Sequence, residues 1–258
     1  MNDETRYQIA EVSALLVRAR RVAVLTGAGV SAESGVPTFR DAQTGLWSRF
    51  DAQRLASQEG FRDDPGLVWS WYMHRLATVE AAQPNPGHDA LAVLAATVNE
   101  MSLTTQNVDD LHEQAGSQRV IRLHGRLRDS KCSQNCKGDP TVIDLEKYHL
   151  NLLDSAPRCP YCGARIRPDV VWFNEMLPFA ALEAAWGAIS RADLVLIVGT
   201  SGLVHPAADM PMDARDRGIP VIEINPKPSA LTPVVDLWID QPSGAALPEL
   251  VRRVAAPA

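Results

Sequence analysis

Residues 5–20, TRYQIAEVSALLVRAR, set Ile9, Val12, Leu15, Leu16 and Ala19 at helical spacing and close on basic residues, which suit the negative end of a helix. An amphipathic helix therefore opens the chain. RVAVLTGAG follows, an apolar run of strand length that ends in glycines, the profile of a buried parallel strand feeding a turn that can hold phosphate. Four more runs read as buried strands: MSLTTQ (101–106), VIRLHG (120–125), ADLVLIVGT (192–200) and PVIEIN (220–225). Helical patterns separate most of them. That alternation predicts an α/β fold with a doubly wound parallel sheet and ligands at the carboxyl ends of its strands. Two stretches break the rhythm: 41–90, mostly helical in pattern and rich in Trp and Arg, and 128–175, which holds every cysteine. They are expected to form a smaller lobe. QPNPG (83–87) reads as a turn before a helix, and no internal repeat or low-complexity tract interrupts the pattern.

Composition narrows the class. The chain has 258 residues, 46% hydrophobic and 22% charged, with 25 Lys and Arg against 31 Asp and Glu, a net charge of −6. This mix belongs to a globular protein large enough to fold without covalent staples. No apolar run reaches the roughly 18 residues needed to span a bilayer, so no membrane partner is expected. The acidic balance, without a long basic run, argues against nucleic acid as a partner. The opening MNDETRYQIA lacks the features of a secretory signal or a transit segment, so a cytoplasmic location is expected.

The cysteines change the picture most. Cys132 and Cys136 form one pair, in CSQNC, and Cys159 and Cys162 another, in CPYCG. Two disulfides or one four-cysteine zinc site would explain them, and the lack of a secretion signal favours the metal. Four thiolates leave no coordination position for water, so one structural Zn²⁺ is expected. The three-residue spacing of the first pair loosens the usual knuckle.

Other chemistry is ambiguous residue by residue. Gly27-Ala28-Gly29-Val30-Ser31-Ala32 fits the pyrophosphate turn G-x-G-x-x-G/A, but such turns also occur with no ligand. The acidic ribose ligand expected about twenty residues later is missing, which argues against an ordinary dehydrogenase. Asn107 and Asp109, after a strand, suit a carboxamide ligand and equally suit a helix cap. His124 could accept a proton near neutral pH or serve only structure. A zinc-ribbon binding module without catalysis would also use the cysteines.

Read together, GAGVSAESGVPTFRDAQTGLW, TQNVDD, LHG, PRCPYCGARIRPDVVWFNE, VGTSGLVHPAA and INP resemble, in order and across about 22–250, the sirtuin family of NAD-dependent protein-lysine deacylases. The resemblance implies a single catalytic domain over 1–258. Within it, 1–40, 91–127 and 176–258 would form a Rossmann-like NAD-binding lobe, 41–90 a helical insertion with the acyl pocket, and 128–175 the zinc module. It implies NAD as co-substrate and His124 as the catalytic base. Asn107 and Asp109 would hold the nicotinamide amide, and Gln106 beside them would also bind the cofactor. Gly27, Ala28, Gly29, Ser31, Glu33, Thr38, Phe39, Arg40 and Trp47 would line the cofactor, Phe39 and Arg40 on a mobile loop. Gly199, Thr200 and Ser201 would serve the adenosine side, with Asn225 at its ribose and Ser243 near the adenine. Acylated-lysine proteins would be the partners, added as a strand between Val171-Trp172-Phe173 and the segment holding Val204; a monomer would suffice. Asn174 stands where the family usually has Gly.

Tyr72 and Arg75 lie at i and i+3 on a predicted helix and resemble the signature of sirtuins that remove succinyl and malonyl groups, the desuccinylase and demalonylase branch. Ala56 matches the small residue that widens that pocket. NAD-dependent ADP-ribosyl transfer to protein is the alternative on the same scaffold.

Overall fold

The computed structural model describes residues 2–38, 49–148 and 155–255. In chain order the described elements are α1 (Asp3–Arg18), β1 (Arg21–Thr26), α2 (Gly29–Ala32), α3 (Ala52–Leu55), α4 (Gln58–Asp63), α5 (Pro65–Ala81), α6 (Pro86–Thr97), β2 (Glu100–Thr105), α7 (Leu111–Gln114), β3 (Ile121–Arg122), β4 (Gly125–Cys132), β5 (Ile166–Val170), α8 (Phe179–Ser190), β6 (Leu194–Val198), α9 (Asp209–Asp216), β7 (Val221–Ile224), β8 (Leu237–Ile239) and α10 (Ser243–Val254). They fall into two compact units. One takes 1–38, 82–123 and 179–258, the other 39–81 and 124–178.

The first unit is a six-stranded sheet in the order β3-β2-β1-β6-β7-β8, with every pairing parallel. On one side Val22, Val24, Leu196, Val198, Ile222 and Ile224 pack against apolar stripes of α1, α6 and α10, in a cluster that excludes water. Period-two alternation sends their neighbours to the opposite face, where α9 meets β6 and β7. The doubly wound sheet is thus as expected. VIRLHG yields only two strand residues, Ile121 and Arg122, although the Leu123 N–H still donates to the Thr105 carbonyl at 3.0 Å. LWI supplies a sixth strand, too short to stand out as a pattern.

The second unit pairs β4 with β5 antiparallel, with a register shift between Arg126 and Ser130, alongside helices α3 to α5. Its core includes Leu55, Phe61, Trp69, Trp71, Leu127, Ile166, Val170 and Trp172. Strand β4, GRLRDSKC, has too many charged residues for apolar periodicity to reveal it. Among the described residues, no helix is long and apolar enough to cross a membrane.

Candidate functional site

At the carboxyl ends of the first unit's strands, two glycine turns touch through their backbones. Gly27 N–H donates to Val198 at 3.0 Å and Gly29 N–H to Gly199 at 2.8 Å. Gly199 sits at φ +62°, and a Cβ there would lie 2.4 Å from the Val30 nitrogen. Only glycine fits, so β1 and β6 can end side by side with Gly199 packed against the first turn of α2.

Ser31, one turn into α2, organises the next layer. Its hydroxyl donates to Asp109 Oδ2 at 2.9 Å and accepts from Asn107 Nδ2 at 3.0 Å. All three residues are buried. Burial raises the Asp109 carboxyl above its ordinary range, against the lowering effect of its bonds to Ser31 and the Leu111 N–H. Arg122 braces the same loop, donating from Nη1 to the Asp109 carbonyl at 2.6 Å and from Nε and Nη2 to Glu113 at 2.9 and 2.6 Å.

Beneath lies a pair of histidines that no sequence motif had singled out. His88 and His112 are buried with ring centroids 4.9 Å apart. Burial pushes their pKa values down to about 4 and about 3, so both rings are neutral near pH 7. His112 Nε2 lies 3.0 Å from Thr26 Oγ1, and His88 Nδ1 accepts from the Asn85 N–H that opens α6. The Asn85-Pro86-Gly87-His88 capping box was the one readable signal.

On the adenosine side expected from the sequence, Gln106 Nε2 donates to Thr200 Oγ1 at 2.9 Å, and Asn225 Nδ2 to the Thr200 carbonyl at 2.9 Å. The Ser201 carbonyl accepts from Ala230. Glu33 accepts from the Ser243 hydroxyl at 3.0 Å and the Gly244 N–H at 2.9 Å, tying α2's end to the start of α10. Gly27, Gly29, Ser31, Gln106, Asn107, Asp109, Gly199, Thr200 and Asn225 are thus linked, while Glu33 and Ser243 bind each other. Ala28 is the N-cap residue of α2, and Thr38 lies in the same unit. Phe39, Arg40 and Trp47 lie outside the described residues. Val204 is exposed in this unit and accepts from the Ala208 N–H.

In the second unit, His124 precedes Gly125, whose φ of +75° and 2.1 Å Cβ approach to the Asp169 carbonyl exclude any side chain. The His124 carbonyl accepts from Val171 N–H at 2.9 Å, and Phe173 N–H donates to the Ala56 carbonyl at 2.9 Å. These bonds set 171–173 in an extended path, with Trp172 buried and Phe173 exposed. Asn174 adopts φ +64°, the left-handed region that Asn tolerates better than most residues other than Gly. At the position where the resemblance implies glycine, Asn174 thus keeps a glycine-like backbone.

Tyr72 and Arg75 project from α5. Tyr72 is buried, its ring 4.7 Å from Trp71 and 6.3 Å from Trp172, and the Arg75 guanidinium lies 5.1 Å from the Trp71 ring centre. Burial raises the Tyr72 phenol and lowers Arg75, each effect opposed by the other group. Arg167 is committed elsewhere: it pairs with both Glu175 oxygens at 2.5 and 3.0 Å, with its guanidinium 3.2 Å from the Trp172 ring centre. No carboxylate of the described residues pairs with Arg75. Ala56, buried with a single methyl group, belongs to the same unit.

The four cysteines are free thiols whose sulfurs all lie within 4.8 Å of one another. Cys132 and Cys162 sulfurs are 3.6 Å apart and those of Cys136 and Cys159 3.8 Å. A tetrahedron of Zn–S bonds near 2.3 Å needs sulfurs about 3.8 Å apart, so the donor set fits one Zn²⁺. These separations are far beyond the S–S bond length of about 2.05 Å. Asn135, at φ +45°, absorbs the extra residue of the first pair.

The Sir2 family model matches residues 27–206. An NAD-dependent protein deacylase of Ralstonia nicotianae is 50% identical over 242 residues, 94% of this chain and 95% of that protein. NAD-dependent protein deacylase 1 of Pseudomonas aeruginosa is 48% identical over 241 residues, 93% and 96% of the two chains. The crystal structure of a Sir2 homolog–NAD complex is 43% identical with a TM-score of 0.87, covering 95% of this chain and 93% of that one. A Sir2 bound to an acetylated peptide is 29% identical with a TM-score of 0.80, covering 95% and 96%.

Proposed function

The chain belongs to the Sir2, or sirtuin, family, and from that premise we propose that it is an NAD-dependent protein-lysine deacylase favouring acyl groups that end in a carboxylate, succinyl and malonyl ahead of acetyl. The family carries the reaction type. Selectivity rests on one observation: Arg75, beside the Tyr72 phenol and against Trp71, has no carboxylate partner among the described residues. A guanidinium in that position is a fork for a carboxylate, and a buried phenol adds a donor.

When bound, NAD supplies the bond between ribose C1′ and nicotinamide, whose cleavage lets the acyl group pass to ADP-ribose. Asn107 spends its Nδ2 on Ser31, so its Oδ1 is left to accept from the nicotinamide carboxamide, and Asp109 adds a second acceptor. Ser31 holds both in place. The His124 ring takes the proton of a ribose hydroxyl, a role that suits an imidazole near neutral pH. With one water consumed, the products are nicotinamide, O-acyl-ADP-ribose and free lysine. Zinc, held by Cys132, Cys136, Cys159 and Cys162, leaves no position open for water and secures the fold of its unit.

The test is one peptide carrying acetyl-, malonyl- or succinyl-lysine, mixed with NAD and the protein and followed by mass. Free lysine with O-acyl-ADP-ribose is expected, fastest from the two acidic acyl groups. A peptide that gains the mass of ADP-ribose would instead establish transfer to protein.

A further inference from the structure

Glu223 is the residue on β7 that the deacylation chemistry leaves unused, and it is 0% exposed. Alternation along the strand places Ile222 and Ile224 in the apolar layer and turns Glu223 and Asn225 to the other face. No cation neutralises Glu223 among the described residues. Its carboxylate instead accepts from Thr232 Oγ1 at 2.5 Å and from Asn225 Nδ2 at 3.2 Å. An unneutralised carboxylate in a core costs stability, which directs attention to what its hydrogen bonds hold in place.

Asn225 is the residue those bonds constrain. Its Nδ2 meets two groups that can only accept, the Glu223 carboxylate and the Thr200 carbonyl at 2.9 Å. Both hydrogens of the amide are therefore committed, and the amide cannot be turned over without placing its oxygen against two other oxygens. The backbone of Asn225 is clamped as well: its N–H donates to the Ile239 carbonyl at 3.2 Å, and its carbonyl accepts from Trp238 Nε1 at 2.8 Å. What remains for a ligand is Oδ1, to which no described residue donates. Such a side chain can only accept.

We propose that Glu223 is a positioning residue for the nucleotide: it locks the Asn225 amide so that an acceptor alone faces the ligand, which selects a ribose hydroxyl. The inference rests on the reading of this unit as the NAD-binding part. Thr232 is the far end of the clamp. Its hydroxyl accepts from the Ser229 N–H at 2.8 Å, which points its own proton at Glu223.

Calorimetric binding of ADP-ribose tests this without depending on turnover. Glu223→Gln keeps the volume but gives up the charge and lets an N–H₂ group face Asn225. It should weaken ADP-ribose about five- to tenfold, the size expected of one charge-assisted hydrogen bond, and raise the KM for NAD by a similar factor with kcat unchanged. In an Asn225→Ala background the same change should add less than about twofold, since the amide it positions is gone. Thr232→Val, which removes only the clamp's hydroxyl, should show the same coupling with a smaller effect, and it decides the matter if Glu223→Gln does not fold. Unchanged binding in Glu223→Gln, or full additivity with Asn225→Ala, overturns the proposal while leaving the NAD reading intact. A wild-type protein that does not bind ADP-ribose overturns both.

Discussion

The two units hold their functional side chains by opposite means. In the sheet unit, Ser31, Asn107 and Asp109 form one closed set of hydrogen bonds, and Gln106, Thr200, Asn225 and Glu223 form a second. Each side chain is fixed by another, and what a ligand meets is the lone pair left over. In the second unit, Arg167 is neutralised by Glu175, whereas Arg75 keeps its charge against a tryptophan face with no carboxylate among the described residues. A satisfied network orients the neutral polar groups of a ligand, a carboxamide or a ribose hydroxyl, through geometry. An uncompensated guanidinium awaits a charge. In the proposed function the first arrangement serves the nucleotide and the second the acyl carboxylate.

The units also differ in what stabilises them. The sheet unit has a continuous apolar layer from Ile9 to Val251, while the second joins a polar ribbon to short helices and brings four thiols together. Metal removal should therefore have the largest effect. Structural zinc sites of this type contribute about 10 kcal/mol or more of apparent binding energy, so chelation, or Cys159→Ser, should lower the melting midpoint by roughly 10 °C or more. One zinc per chain by atomic absorption is the companion result; a melting curve unmoved by chelation contradicts it.

Next in size is His124→Ala, expected to slow deacylation by roughly 10²- to 10⁴-fold with ADP-ribose binding retained. The bond from Val171 N–H reaches the His124 backbone, so the local path survives the loss of the ring. Near-normal turnover would remove the assignment.

Acid should act on the sheet unit through His88 and His112. Unfolded, both rings take up protons below about pH 6.5; folded, they resist until about 4 and about 3. Stability from this source is complete above 6.5 and falls as pH drops toward 4. Asp109, raised by burial, binds its proton earlier than in the unfolded chain and returns a part of that loss. Urea denaturation at pH 5 should give a stability lower by on the order of 3 kcal/mol than at pH 7.5; a flat profile would contradict the neutral-pair reading.

The smallest effect belongs to Asn174. Its left-handed backbone predicts that Asn174→Gly is nearly neutral and that Asn174→Ala costs about 1 kcal/mol, read by denaturant midpoint. Equal costs for both would show that the side chain, not the backbone, matters there.

Much of this was legible in the sequence wherever one property repeats over several residues. The buried parallel strands, the glycine turn and the cysteine pairs all do so. Strand β4 was hidden because its pairing with β5 depends on backbone bonds and not on apolar alternation. The histidine pair was hidden for another reason: His88 and His112 come from separate helices, and only the fold makes them neighbours. The same holds for Arg167, whose commitment to Glu175 is what distinguishes it from Arg75.

That contrast is tested most directly by the ratio of kcat/KM for succinyl-lysine to that for acetyl-lysine on one peptide, in the wild type and in Arg75→Met. Each hydrogen bond to a charged group is worth about 1.5–3 kcal/mol. The wild type should favour succinyl-lysine, and the substitution should lower the ratio by about ten- to a hundredfold while sparing acetyl-lysine. Equal losses on both substrates would contradict the assignment of Arg75 as the acyl carboxylate's receptor.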